Sequence, residues 1–154
     1  MSLDIRLLGL PAVTSRDAEA YRPRSRKTWG VLCYLLLTEA AVSRRHLSSL
    51  LFPEAEDPLR ALRWSLAELR KAVGTESVVR GDPVELVLAD DVAVDVRAIT
   101  GGSWREAVGL PGLGLDLLEG FDSLGSPEFD SWLLSERRYI ASATEDVLRE
   151  AALA

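Results

Sequence analysis

Arg60, Arg63, Trp64, Arg70 and Lys71 fall in one stretch, DPLRALRWSLAELRKAVG (57–74), and offer the most definite chemistry in this 154-residue chain. Lysine and arginine neutralise phosphates and release condensed counterions, and an arginine can donate two hydrogen bonds to guanine O6 and N7. Arg60 and Lys71 are the candidates for base edges, and Arg26, Lys27, Arg44, Arg45, Arg63, Arg70 and Arg80 for the backbone. Trp64 could rest on sugars or a thymine methyl, or it could pack under the neighbouring acidic loop or in a protein interface. Other chemistries find few residues. One histidine, His46, and one cysteine, Cys33, leave no Ser/His/Asp set, no activated thiolate and no metal cluster. The glycine-rich run 109–114 lacks the Lys-Ser/Thr ending of a P-loop. The sequence calls for no enzyme, no metal and no cofactor.

The element that must position these side chains is a helix over 57–74. Leu59, Leu62, Leu66, Leu69 and Val73 recur at spacings of 3, 4, 3 and 4, one apolar stripe of a buried helix face. Asp57 can cap its start, Pro58 suits the first turn, and Gly74 stops it. At about 100° per residue, the opposite direction belongs to Trp64, with Arg60, Ala67, Glu68 and Lys71 beside it and Arg63 and Arg70 along one edge.

Before this helix, Ile5–Leu10, Ala12–Thr14 and Ala18–Arg22 read as brief strands, with a turn at Ser15-Arg16-Asp17 and punctuation at Pro11 and Pro23. Ser25 opens a helix to about Thr38. The cations Arg22, Arg24, Arg26 and Lys27 lie before it or in its first turn, against the helix dipole, which suggests either phosphate contact or a solvated basic edge. Ser43 caps a helix from Arg44 to Phe52, with Leu47, Leu50 and Leu51 inward. After Gly74, Ser77–Arg80 and Val84–Leu88 flank Gly81-Asp82-Pro83 as a hairpin, and Val92–Val96 adds a strand or leads out of the module.

From residue 98 the character changes. Ser103–Val108 reads as a short helix, and Ser126 caps a long one from Pro127 or Glu128 to Ala152, about 38 Å at 1.5 Å per residue. Its stripe is Phe129, Trp132, Leu133, Ile140, Ala143, Val147 and Ala151, interrupted by Glu136, which calls for an arginine or backbone amide as partner. So long a helix has little partner surface in the residues before it, pointing to a homodimer or to a chain that continues. Charge divides the same way. Residues 1–81 carry 13 Lys or Arg against 9 Asp or Glu, a net +4, whereas residues 82–154 carry 5 against 15, a net −10. No apolar run approaches the roughly 20 residues that span a bilayer, and Asp4 and Arg6 break the N-terminal apolar stretch, so no membrane and a cytoplasmic location are expected.

The expected fold is α+β, in two parts: a winged helix-turn-helix over 1–97, with an N-terminal antiparallel sheet and a C-terminal hairpin wing, then an all-α segment over 98–154. Short strands, helix, link, helix, acidic loop, helix and hairpin follow one another in the order of that module, whose last helix enters the major groove. The runs RKTWGVLCYLLL and VSRRHLSSLLFPEAEDPLRALRWSLAELRKAVG resemble the OmpR/PhoB-type winged helix of the SARP family of bacterial transcriptional activators. LLEGFDSLGSPEFDSWLLSERRYI resembles the start of the bacterial transcriptional activator domain, the helical-repeat module that follows in that family. The resemblance implies an activator that binds double-stranded promoter DNA through Arg60 to Lys71 and the wing, often as a dimer. It also implies contact with RNA polymerase through the loop Pro53, Glu54, Ala55, Glu56 and Asp57. A protein-interaction module whose winged helix no longer binds DNA is the alternative, supported by the overall charge of −6 and by Trp64.

Overall fold

In the computed structural model, which describes residues 2–16 and 19–154, the chain just past the first strand is tied to the start of a helix by one aspartate. Strand β1 (Leu3–Arg6) alternates, with Leu3 and Ile5 buried and Asp4 exposed, and pairs antiparallel with β2 (Ala12–Ser15). On its other edge β1 pairs in parallel with β5 (Val92–Val94), giving the order β2-β1-β5. The N-terminal sheet is therefore mixed, not purely antiparallel. β1 also stops well before Leu10. The amides of Leu7 and Leu8 donate to the two carboxylate oxygens of Asp95 at 2.9 and 3.0 Å, and Gly9 turns the chain with φ +77°. Asp95 begins α4 (Asp95–Thr100), so the valine run ends as a strand at Val94. Asp17 and Ala18, part of the expected turn and third strand, lie outside the described residues; residues 19–25 form neither strand nor helix.

Local caps set the helices. In α1 (Arg26–Thr38) the Ser25 side chain accepts from the Lys27 amide; in α2 (Arg44–Leu51) Ser43 accepts from His46; in α3 (Pro58–Val73) Asp57 accepts from Arg60. A hairpin of β3 (Val78–Arg80) and β4 (Glu85–Val87) follows, and Val42, in the link before α2, pairs with Val84 at its root. After α4 come the single turn α5 (Trp104–Ala107) and the 27-residue α6 (Pro127–Leu153), capped by Ser126. The molecule is thus α+β, with two small sheets and six helices among the described residues.

One apolar core takes side chains from both ends of the chain. Leu32, Leu47, Leu62, Leu66 and Leu69 of α1 to α3 are joined by Leu117, Leu118, Leu124, Phe129, Leu133 and Ile140. The boundary expected at residues 97 and 98 falls inside α4. The connector before α6 passes so close to α1 that a Cβ on Gly30 would meet Leu124 and Leu51 at 2.7 Å. Arg137 holds this connector: its guanidinium donates to the Leu117 and Leu118 carbonyls at 2.8 and 2.7 Å and pairs with Asp122 at 2.8 Å. Along α6, Trp132 is only half-buried and packs on the Tyr34 ring at 4.7 Å. Glu136 is half-buried and burial pushes its carboxyl above the usual range, but among the described residues it has neither the arginine nor the amide partner expected for it.

Candidate nucleic-acid interface

Helix α3 turns a broad exposed face away from the core. Leu62, Leu66, Leu69 and Val73 are buried, and the opposite side carries Arg60, Arg63, Trp64, Ala67, Arg70 and Lys71, all exposed. Trp64 is 73% exposed, so it does not pack beneath the acidic loop. Leu59, placed in the buried stripe by its spacing, is 44% exposed: it lies in the first turn, where the stripe has run past the edge of the core.

Glu68 is the larger departure. Periodicity turns it outward beside Trp64, yet it is only 5% exposed and its carboxylate collects four donors. The Tyr21 hydroxyl and the Arg24 amide bond Oε2 at 3.0 Å each, while the Thr28 hydroxyl at 2.6 Å and the Ser25 amide at 3.4 Å bond Oε1. Burial raises its pKa, but the four hydrogen bonds to the charged form outweigh it, and the net shift is downward. Sequence reasoning missed this bond set because the segment that buries Glu68 arrives from more than forty residues upstream.

The basic side chains divide between exposed and anchored. Arg70 donates from Nε to the Val79 carbonyl at 2.7 Å, holding the hairpin against one flank of α3. Arg44 meets the hairpin turn, its Nε donating to the Gly81 carbonyl at 2.9 Å and its amide to Asp82 at 3.0 Å. Arg45 and Arg80 are exposed close by in the chain. Arg26 and Lys27 sit elsewhere. Arg26 donates to the Gly120 carbonyl at 2.7 Å and lies over the Phe121 ring, and Lys27 Nζ donates to the carbonyls of Leu51, at the end of α2, and of Leu124. Burial pulls the Lys27 ammonium below its usual range, with Glu54 and Asp130 acting the other way. These two cations join α1 to α2 and the connector, which offsets their position against the dipole of α1; Arg26 remains exposed, whereas Lys27 is half-buried.

On the flank of α3 away from the hairpin lies the segment 19–25, with Arg22 and Arg24 exposed. Lys71 Nζ stands 5.8 Å from the centre of the Tyr21 ring. Burial and the bond to Glu68 push the Tyr21 phenol upward, while the nearby charge of Arg24 acts in the opposite direction. In the acidic loop, Pro53, Glu54, Glu56 and Asp57 are exposed and Ala55 is half-buried, its amide donating to the Phe52 carbonyl at 3.3 Å. Cys33 is fully buried and its thiol is pushed up by desolvation, then by Glu136. No protein-family model and no curated protein matches the chain.

Proposed function

We propose that α1, α2, α3 and the β3–β4 hairpin form a winged helix-turn-helix and that the protein is a DNA-binding transcriptional regulator, with α3 in the major groove of a duplex. What carries this reading is the exposed face of α3: Arg60, Arg63, Trp64 and Lys71 stand free of the core beside a hairpin that carries Arg80, within the net-basic half of an acidic chain. Arg60 and Lys71 reach base edges; Arg45, Arg63 and Arg80 meet phosphates. The exposed acidic loop before α3 is the surface for RNA polymerase, by the resemblance to the SARP activators, and the reading places the protein in the cytoplasm.

Selection of bound sequences from a random duplex pool, followed by titration at two salt concentrations, tests the reading. Affinity should fall steeply with salt, with log K changing by about −0.9 per phosphate neutralised for each unit of log salt. Arg60→Ala with Lys71→Ala should weaken binding without lowering the melting temperature, and an unchanged affinity would remove α3 from the interface. Exposure of Trp64 and Leu59 on the same helix favours a second reading, a protein-interaction surface. Absence of duplex binding at low salt would select it.

A further inference from the structure

The segment 19–25 has no regular structure, yet it is held onto α3 at several points by a single carboxylate. Glu68 lies about 40° around the helix from Trp64, at the margin of the proposed DNA-facing surface. The hairpin is fastened to the other margin through Arg70 and Val79. The exposed face of α3 therefore runs between two ridges, the hairpin and this arm.

The arm is also stiff and basic. Pro23 is buried and fixes its own φ, and a proline restricts the residue before it to extended conformations, so Arg22-Pro23-Arg24 presents two exposed guanidinium groups with little backbone freedom to lose on binding. The Arg24 amide and the Tyr21 hydroxyl share Oε2 of Glu68, and Lys71 of α3 stands by the ring of the same tyrosine. Arg24 and Lys71 thus belong to one positive surface that crosses from the arm to the helix.

We infer that the arm is a second backbone clamp on DNA: Arg22 and Arg24 neutralise phosphates on the side of α3 away from the hairpin, and Glu68 is the positioning residue that holds them there. This rests on the DNA-binding reading above. Arg22 and Arg24 act on phosphate and read no base, so their contribution is the same for every sequence and is screened by salt.

The test measures affinity of the full chain for a mixed-sequence duplex across a salt titration, for the wild type, Arg22→Ala/Arg24→Ala, Glu68→Gln and the combination of all three. Removing both arginines should make the slope of log K against log salt shallower by about 1.8, two phosphates at about 0.9 each, with an unchanged melting temperature. Glu68→Gln should flatten the slope in the wild-type background and add no further change once the arginines are gone. A wild-type protein that binds, with the same slope in the arginine variant, overturns the clamp and leaves α3 as the reader. A further flattening by Glu68→Gln in the arginine-free background overturns its positioning role. A wild-type chain that fails to bind duplex at about 50 mM salt overturns the DNA reading itself. Because Arg22 and Arg24 are exposed, their variant remains decisive even if Glu68→Gln proves too unstable to assay.

Discussion

Glu68 links three pieces of the molecule through one charge: α3, which bears it, the arm through Tyr21 and Arg24, and α1 through Ser25 and Thr28. Hydrogen bonds to a charged group contribute about 1.5 to 3 kcal/mol each when a partner is removed, so Glu68→Gln should be clearly destabilising at neutral pH. The sign with pH follows from its lowered pKa. The stabilisation is complete above the unfolded glutamate value of about 4.3 and disappears as pH falls through the lower folded value. The gap in melting temperature between wild type and Glu68→Gln should therefore be widest at neutral pH and close in acid; a gap independent of pH would mean that the charge is not what the four donors hold. Trp64 presents the contrasting case, a large side chain with little to lose. Trp64→Ala should change stability by no more than about 0.5 kcal/mol while weakening duplex binding, and retention of full affinity would exclude Trp64 from the DNA contact. Helical spacing identified Trp64 as outward because nothing distant covers it. The same reasoning misplaced Glu68, since angle around a helix carries no information about an arm that folds back over it.

The helices are the part of the fold most legible in sequence, and their caps explain why. Ser25, Ser43, Asp57 and Ser126 each satisfy an amide two or three residues away, so the signal and its structural effect lie together. Strand limits depend on distant partners: Asp95 ends β1 from nearly ninety residues away, and β5 joins the sheet in parallel from the far side of the hairpin. Within α3 the stripe predicts a graded response. Leu66→Ala removes a fully buried side chain and should cost about 2 to 5 kcal/mol, whereas Leu59→Ala, at a half-open site, should cost much less. Equal losses in denaturant titrations would mean that the phase of the helix is wrong. The cations of α1 were legible as a cluster but not as two groups. Arg22 and Arg24 face solvent, while Arg26 and Lys27 turn back onto carbonyls of the connector and the end of α2, and only the folded path of that connector separates them.

Charge asymmetry and the change in sequence character both suggest two modules, but the packing runs across that division. Leu8 pairs with Leu117, the Ser126 amide donates to the Leu50 carbonyl at 2.8 Å, and Phe129 of α6 is buried in the same core as α1. The acidic C-terminal half is thus packed into the same core as α3, and on the DNA-binding proposal its repulsion of a phosphate backbone would act with a constant orientation. Arg137 is the clearest single test of this coupling. Its guanidinium satisfies two carbonyls of a buried stretch, and an unsatisfied buried acceptor costs about 1 to 3 kcal/mol, so Arg137→Met should lower the stability of the whole chain and not only of α6. Hydrogen exchange should show the amides of α1 and α3 losing protection together with those of α6, within one unfolding transition. If α6 opens first while α1 and α3 keep wild-type protection, the core is divisible and the C-terminal segment is a separate unit resting on the N-terminal part.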